Sequence, residues 1–273
     1  MSNLQNYLEK LQEQKSLFTC LMITGLVLMV ATFFGKGVVK VITDCTYIPV
    51  TGSFVFLSVI ISLRFRKTGN HGKAWLLFLG TAISWFIAET TWTIYELAYH
   101  LNPFPSTADA FYITGYPLLF LFSIYYLKPF KKIISRKMII CASIIAISVL
   151  IPSLSMTLDN NSNESRFAIV LGAIYPIADS IILVPALIGI FLFFRGEVNF
   201  LWTLLLIGIL FEVIADTGFQ YFTLNNLYYT GHPVDILFIW SYIMFSFGVY
   251  SHIQIFKKSD KINEFNKLVN DNI

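Results

Sequence analysis

The chain has 273 residues, 56 % of them hydrophobic and 13 % charged, with a formal net charge of +3 and a mean hydropathy of +0.68. So apolar a chain is not an ordinary soluble globule, and a net charge this small argues against a nucleic-acid surface. What remains is an all-α, polytopic integral membrane protein whose first partner is the lipid bilayer.

Residues 1–15 place Leu4, Leu8 and Leu11 at helical spacing, the pattern of a short amphipathic helix lying on the inner membrane surface. Eight apolar windows follow, most of them long enough to cross a hydrocarbon core of ~30 Å as helix. They run from Leu17 to Phe34, Tyr47 to Leu63, Ala74 to Ala98, Ala110 to Leu127, Met138 to Met156, Phe167 to Phe194, Phe200 to Phe222 and Val234 to Phe256. No small-residue cleavage pattern follows the first window, so it reads as a span. The second is short and holds Pro49, best tolerated near a helix start; without it the count falls to seven. Residues 257–273 form a polar tail.

Charge placement supports eight spans, because cytoplasmic loops are enriched in Lys and Arg. Of the 19 basic residues, all but Lys36, Lys40 and Arg166 fall on the side of the two termini, which predicts a cell-membrane protein with both ends cytoplasmic. Cys20 and Cys141 fall within spans and Cys45 beside one, so buried, inert thiols are expected and no disulfide framework. The predicted outer loop "DNNSNES", 159–165, carries acceptor sequons at Asn160 and Asn163.

An internal repeat organises the spans. Residues 49–90 align without gaps on 176–217, with identities that include Pro49/Pro176, Trp75/Trp202 and "IAET" against "IADT", so that Glu89 pairs with Asp216. Beyond that point the register slips by one residue and Asp109 meets Asp235, each followed seven positions later by a tyrosine, Tyr116 or Tyr242. The predicted architecture is two four-helix repeats, residues 16–136 and 137–256, parallel because each unit has an even number of spans.

A carboxylate near the bilayer centre costs about 2.5 to 3.5 kcal/mol on insertion scales, so the acids of these spans should face the bundle interior. There they need protons, hydrogen bonds, a cation or water. Glu89 and Glu96 lie seven apart on one face of span 3, while Glu212, Asp216 and Gln220 form a stripe on span 7. No Lys or Arg occurs in the outer halves of spans 3, 4, 7 and 8. The hydroxyls of Tyr116 and Tyr242 need partners, and the acids of their own unit are the nearest candidates.

Each residue also has a structural reading. Asp109 and Asp235, near helix starts, suit capping as well as binding, and Ser106 is a second candidate cap. Glu96 is close enough to the interface to be solvated. Glu89 and Asp216 can be satisfied by interhelical hydrogen bonds alone. Asp179 and Glu212 face Gly52 and Trp85 in the repeat alignment, so they would confer specificity. Trp92, Tyr95, Tyr99, Tyr221, Tyr228 and Tyr229 read first as an outer aromatic belt. Pro117 and Pro176 would kink spans 4 and 6 and widen a cavity. His100 and His232 with the carboxylates form at most a weak metal signal; the sequence identifies no metal, cofactor or catalytic motif.

At "PFPSTADAFYITGYPLL", residues 103–119, with "WTIYE" upstream and "YPIADSIIL" at 175–183, the chain resembles the polytopic membrane regions that precede diguanylate cyclase or histidine kinase domains in many bacterial proteins. The resemblance implies a membrane-embedded sensory or ligand-binding module. With a tail of about 17 residues, too short for an output domain, it also implies a separate signalling partner. The expectation is an outward-facing cavity, lined by Glu89, Asp216, Asp109, Asp235, Tyr116, Tyr242, Glu212, Asp179 and Glu96. It would take a small cation, a cationic small molecule or a lipid group. The alternative is a secondary transporter coupled to protons or sodium.

Overall fold

The computed structural model describes residues 2–158, 166–194 and 198–271, with side chains placed from 11 to 156, 166 to 194 and 198 to 256. The sequons at Asn160 and Asn163 lie outside the described residues. The elements are α1 (Ser2–Thr32), α2 (Lys36–Phe65), α3 (Asn70–Thr93), α4 (Thr107–Leu127), α5 (Arg136–Leu158), α6 (Arg166–Phe193), α7 (Asn199–Leu224) and α8 (Pro233–Asp271). A π-helical turn, Ile94–Ala98, extends α3. All eight helices contain a stretch long and apolar enough to cross a membrane. No strand occurs among the described residues. The chain has the architecture of a multi-pass helical membrane protein.

Two expectations are corrected here. The second span is a 30-residue helix beginning at Lys36, not at Tyr47, and Pro49 lies well inside it. Its first three turns carry Lys36, Lys40 and Asp44, which lowered the local hydropathy and hid the helix start. There the ammonium of Lys40 pairs with Glu96 at 3.9 Å and that of Lys36 lies 4.4 Å from the ring centroid of Tyr229. The thiols of Cys20, Cys45 and Cys141 are free and exposed, on the outer faces of α1, α2 and α5, rather than buried.

Six helices close a ring. α2 packs on α3, α3 on α4, α4 on α6, α6 on α7, α7 on α8, and α8 back on α2. α1 lies outside against α8 and α2, and α5 outside against α6 and α7. The two outer helices show why they are peripheral: Phe18, Ile23, Leu26 and Met29 of α1, and Ile140, Ile144, Ile147 and Ile151 of α5, are exposed. Apolar faces of this kind suit lipid.

Burial within the ring is uneven along its axis. One end carries the α3–α4 and α7–α8 connections, 99–106 and 225–232, and is called the mouth below. Away from it the ring is filled by Phe54, Phe78, Phe122, Trp75, Trp202 and Phe245, all fully buried. Their rings pack at centroid distances of 4.7 Å for Phe78–Phe122, 5.3 Å for Phe54–Phe78 and 5.7 Å for Phe54–Phe245. Such aromatic layers pack the interior of the ring below the mouth.

Candidate functional site

The mouth half of the ring encloses a cavity of about 60 Å³, lined by Glu89, Asp109, Glu212, Asp216 and Asp235 among the tyrosines 47, 112, 116, 175, 228 and 242. Trp85, Trp92, Phe104, Phe219, Phe238, Gln220 and Thr230 complete the wall, and among the described residues no Lys, Arg or His lines it. A buried water needs about 10–15 Å³ on this kind of measure, so there is room for a few waters or one small ligand.

Glu89 comes from the last two turns of α3 and Tyr242 from the third turn of α8. The Tyr242 hydroxyl donates to Glu89 Oε1 at 2.7 Å. Tyr116 of α4 donates to Asp216 Oδ2 of α7 at 2.6 Å. Each tyrosine therefore reaches an acid from the other half of the chain, contrary to the expectation that partners would come from its own unit. The reason is the ring order: α3 and α8 both flank α2, while α4 and α7 both flank α6, so these side chains meet across the centre.

Asp109 and Asp235 each use one oxygen at a helix start and the other on a tyrosine hydroxyl. Asp109 Oδ2 accepts from the backbone N–H of Ser106 at 2.7 Å, closing a capping box with Ser106 at the start of α4. Its Oδ1 accepts from the Tyr175 hydroxyl at 2.6 Å. Asp235 Oδ2 accepts from the Gly231 N–H at 2.6 Å and its Oδ1 from the Tyr228 hydroxyl at 2.9 Å. Gly231 has φ of 95°, a conformation that favours glycine, and a Cβ there would meet Val39 at 2.7 Å.

Glu212 accepts a short hydrogen bond from Ser241, whose hydroxyl also lies 2.7 Å from the Phe238 carbonyl. Asp179 does not line the cavity. It sits behind Asp216, beside Tyr116 and Glu212, and is 1 % exposed, with neither carboxylate oxygen hydrogen-bonded to a protein donor.

Glu96 lies within the π-helical turn itself and lines a second space of about 380 Å³ next to the cavity. This vestibule shares Trp92, Phe104, Phe219, Tyr228 and Thr230 with the cavity below. Glu96 Oε2 accepts from Thr230 at 2.5 Å and from Trp92 Nε1 at 3.1 Å, and Lys40 stands on its other side. His100 lines the vestibule, whereas His232 packs its ring 4.2 Å from Phe222. Burial, then the nearby Lys36 ammonium, hold the His232 imidazole below its ordinary value. Among the described residues, no group of three or more His, Cys, Asp or Glu side chains is arranged to hold a metal ion.

Of the nine predicted site residues, seven line the cavity, Glu96 lines the vestibule and Asp179 lies one layer behind. Sequence reasoning missed Asp44, fully buried with both oxygens unpaired, near Glu96, Asp235 and Lys40. It also missed Tyr47, Tyr112 and Tyr175, and assigned Tyr228 and Trp92 to an outer belt although both line the cavity. The usable signal for Asp44 was its helical spacing from Lys40 and Thr51.

No protein-family model, curated protein or solved structure matches this chain. The functional reading rests on the geometry of the cavity.

Proposed function

We propose that this protein is a multi-pass membrane binding module whose cavity takes a small organic cation, and that it acts as a sensor. The observation that carries the reading is the wall itself: five carboxylates among six tyrosines and two tryptophans, with no basic side chain. Acids gathered in a low-dielectric site without a counter-charge must hold protons or a cation. Aromatic faces favour a diffuse organic cation such as an ammonium, by cation–π attraction. The aromatic layers below the cavity favour binding over passage.

The mouth would face outward and both termini inward. Positive-inside bias supports this, with Lys36, Lys40 and Arg166 at mouth-side helix starts and Arg64, Arg66, Lys67, Lys73, Lys128, Lys131 and Lys132 at the opposite ends. We read α1–α4 and α5–α8 as parallel repeats. Support comes from the packing of α2 on α3 and α8, matched by that of α6 on α7 and α4. It comes also from the left-handed residues His100 and Asn226, with φ of 56° and 57°, at matching places after α3 and α7.

A second reading, a cation transporter, has one observation in its favour: Glu89–Tyr242 and Asp216–Tyr116 bridge the two halves, where alternating access would act. Flux of methylammonium into proteoliposomes separates the two readings. The binding proposal is tested by thermal unfolding with methylammonium, and with sodium as the comparison. Methylammonium should raise the melting temperature of the wild type and leave Glu89→Gln/Asp216→Asn unmoved at undiminished folded yield. Equal shifts in both proteins would refute it.

A further inference from the structure

Asp179 is the candidate-site acid that lines neither the cavity nor the vestibule. It projects from the fourth turn of α6, about one turn beyond Tyr175, toward α7, where its carboxyl stands beside that of Asp216. It is almost fully buried and neither oxygen has a hydrogen-bond partner, because the nearby Tyr116 hydroxyl donates to Asp216 instead. Two ionised carboxylates have no hydrogen to share, so this contact is repulsive unless one proton lies between them; with one proton it becomes a charge-assisted hydrogen bond. Asp216 in turn lines the cavity and takes the Tyr116 hydroxyl at 2.6 Å.

The neighbours of the pair leave no other way to balance it. From α4 the titratable groups are Tyr116 and, farther out, Asp109; from α7 they are Glu212 and Asp216 itself. α5 carries no Lys, Arg, Asp or Glu from Met138 to Leu158. Glu212 is occupied by Ser241. A buried cluster of this kind, with acids on one side and hydroxyls on the other, holds a proton because nothing else positive is present.

We propose that Asp179 and Asp216 share one proton in the ligand-free protein, and that a cation entering the cavity takes its place. The deepening rests on the cation-binding reading above. The exchange balances: one cation enters, one proton leaves through the cavity and vestibule to bulk water, and the charge of the site is unchanged. Asp216 is then the ligand-facing member and Asp179 the positioning and proton-holding member, sealed from the ligand. The first half of the chain has Gly52 at the aligned position, so Glu89 has no equivalent acid behind it.

Calorimetric titration of methylammonium at one pH in two buffers of different ionisation enthalpy, phosphate and Tris, counts protons directly. The wild type should release roughly one proton per cation bound. Asp179→Asn should still bind but release close to none. Binding by the wild type with no buffer dependence overturns the proposal without reference to any variant, and so does an Asp179→Asn protein that releases as many protons as the wild type. Failure of the wild type to bind methylammonium at all, checked by thermal shift on the same samples, would overturn the cation-binding reading itself and this exchange with it.

Discussion

Glu89 and Asp216 are paired in the alignment of residues 49–90 with 176–217, and each holds a tyrosine hydroxyl from the other half of the chain, yet their surroundings differ. Beside Glu89 stands Trp85, whose Nε1 donates to the Tyr112 carbonyl at 3.1 Å and whose ring lies against Gly115. The aligned positions near Asp216 hold Glu212 and Ser241, with the Ser241 hydroxyl by the Phe238 carbonyl. One half thus spends a large indole and a glycine where the other places an acid and a hydroxyl. Each half provides one tyrosine-bridged carboxylate, and the second half adds the buried acids Glu212 and Asp179 beside its own.

Swapping the small residues should break that contrast most severely. A Cβ added at Gly115 would sit 2.1 Å from Trp85 Nε1, so Gly115→Ala should lower unfolding stability by at least ~1–3 kcal/mol in a denaturation series. Ser241→Ala adds no such clash and leaves Glu212 without its donor, so its effect should show mainly in binding. Next in size are the bridging hydroxyls. Tyr242→Phe and Tyr116→Phe each strip a buried carboxylate oxygen of its donor, and both should lose about 1–3 kcal/mol of stability. Similar losses would support equivalent halves; one silent substitution would show that only one bridge matters.

The smallest stability effect is expected at the vestibule. Lys40→Met removes a 3.9 Å pair whose lysine is one-third exposed, so stability should change by less than about 1 kcal/mol. Methylammonium affinity should nevertheless rise, because the cation nearest Glu96 and Asp44 has gone. Titration of both proteins at equal ionic strength checks the direction.

Spans were legible because hydropathy and length are properties of consecutive residues. The start of α2 was not, since its stabilising contacts, Lys40 with Glu96 and Lys36 over Tyr229, join residues far apart in sequence. The same limit hid Asp44. Depth and helix face were readable for Glu89, Asp216, Asp109 and Asp235 from spacing alone. Which neighbour each tyrosine would meet was not, because periodicity fixes a face and only the ring order decides what stands opposite. The aromatic belt reading failed at Trp92 and Tyr228 for a related reason: Trp92 follows Glu89 by three residues on the same face of α3, and Tyr228 is held inward by its hydrogen bond to Asp235.

The central claim is that both halves act on one occupant. Calorimetric stoichiometry of methylammonium binding to the wild type, Glu89→Gln and Asp216→Asn tests it most directly. The account predicts a single site in the wild type, weakened by either substitution. Two independent sites, each abolished by one substitution and untouched by the other, would contradict it.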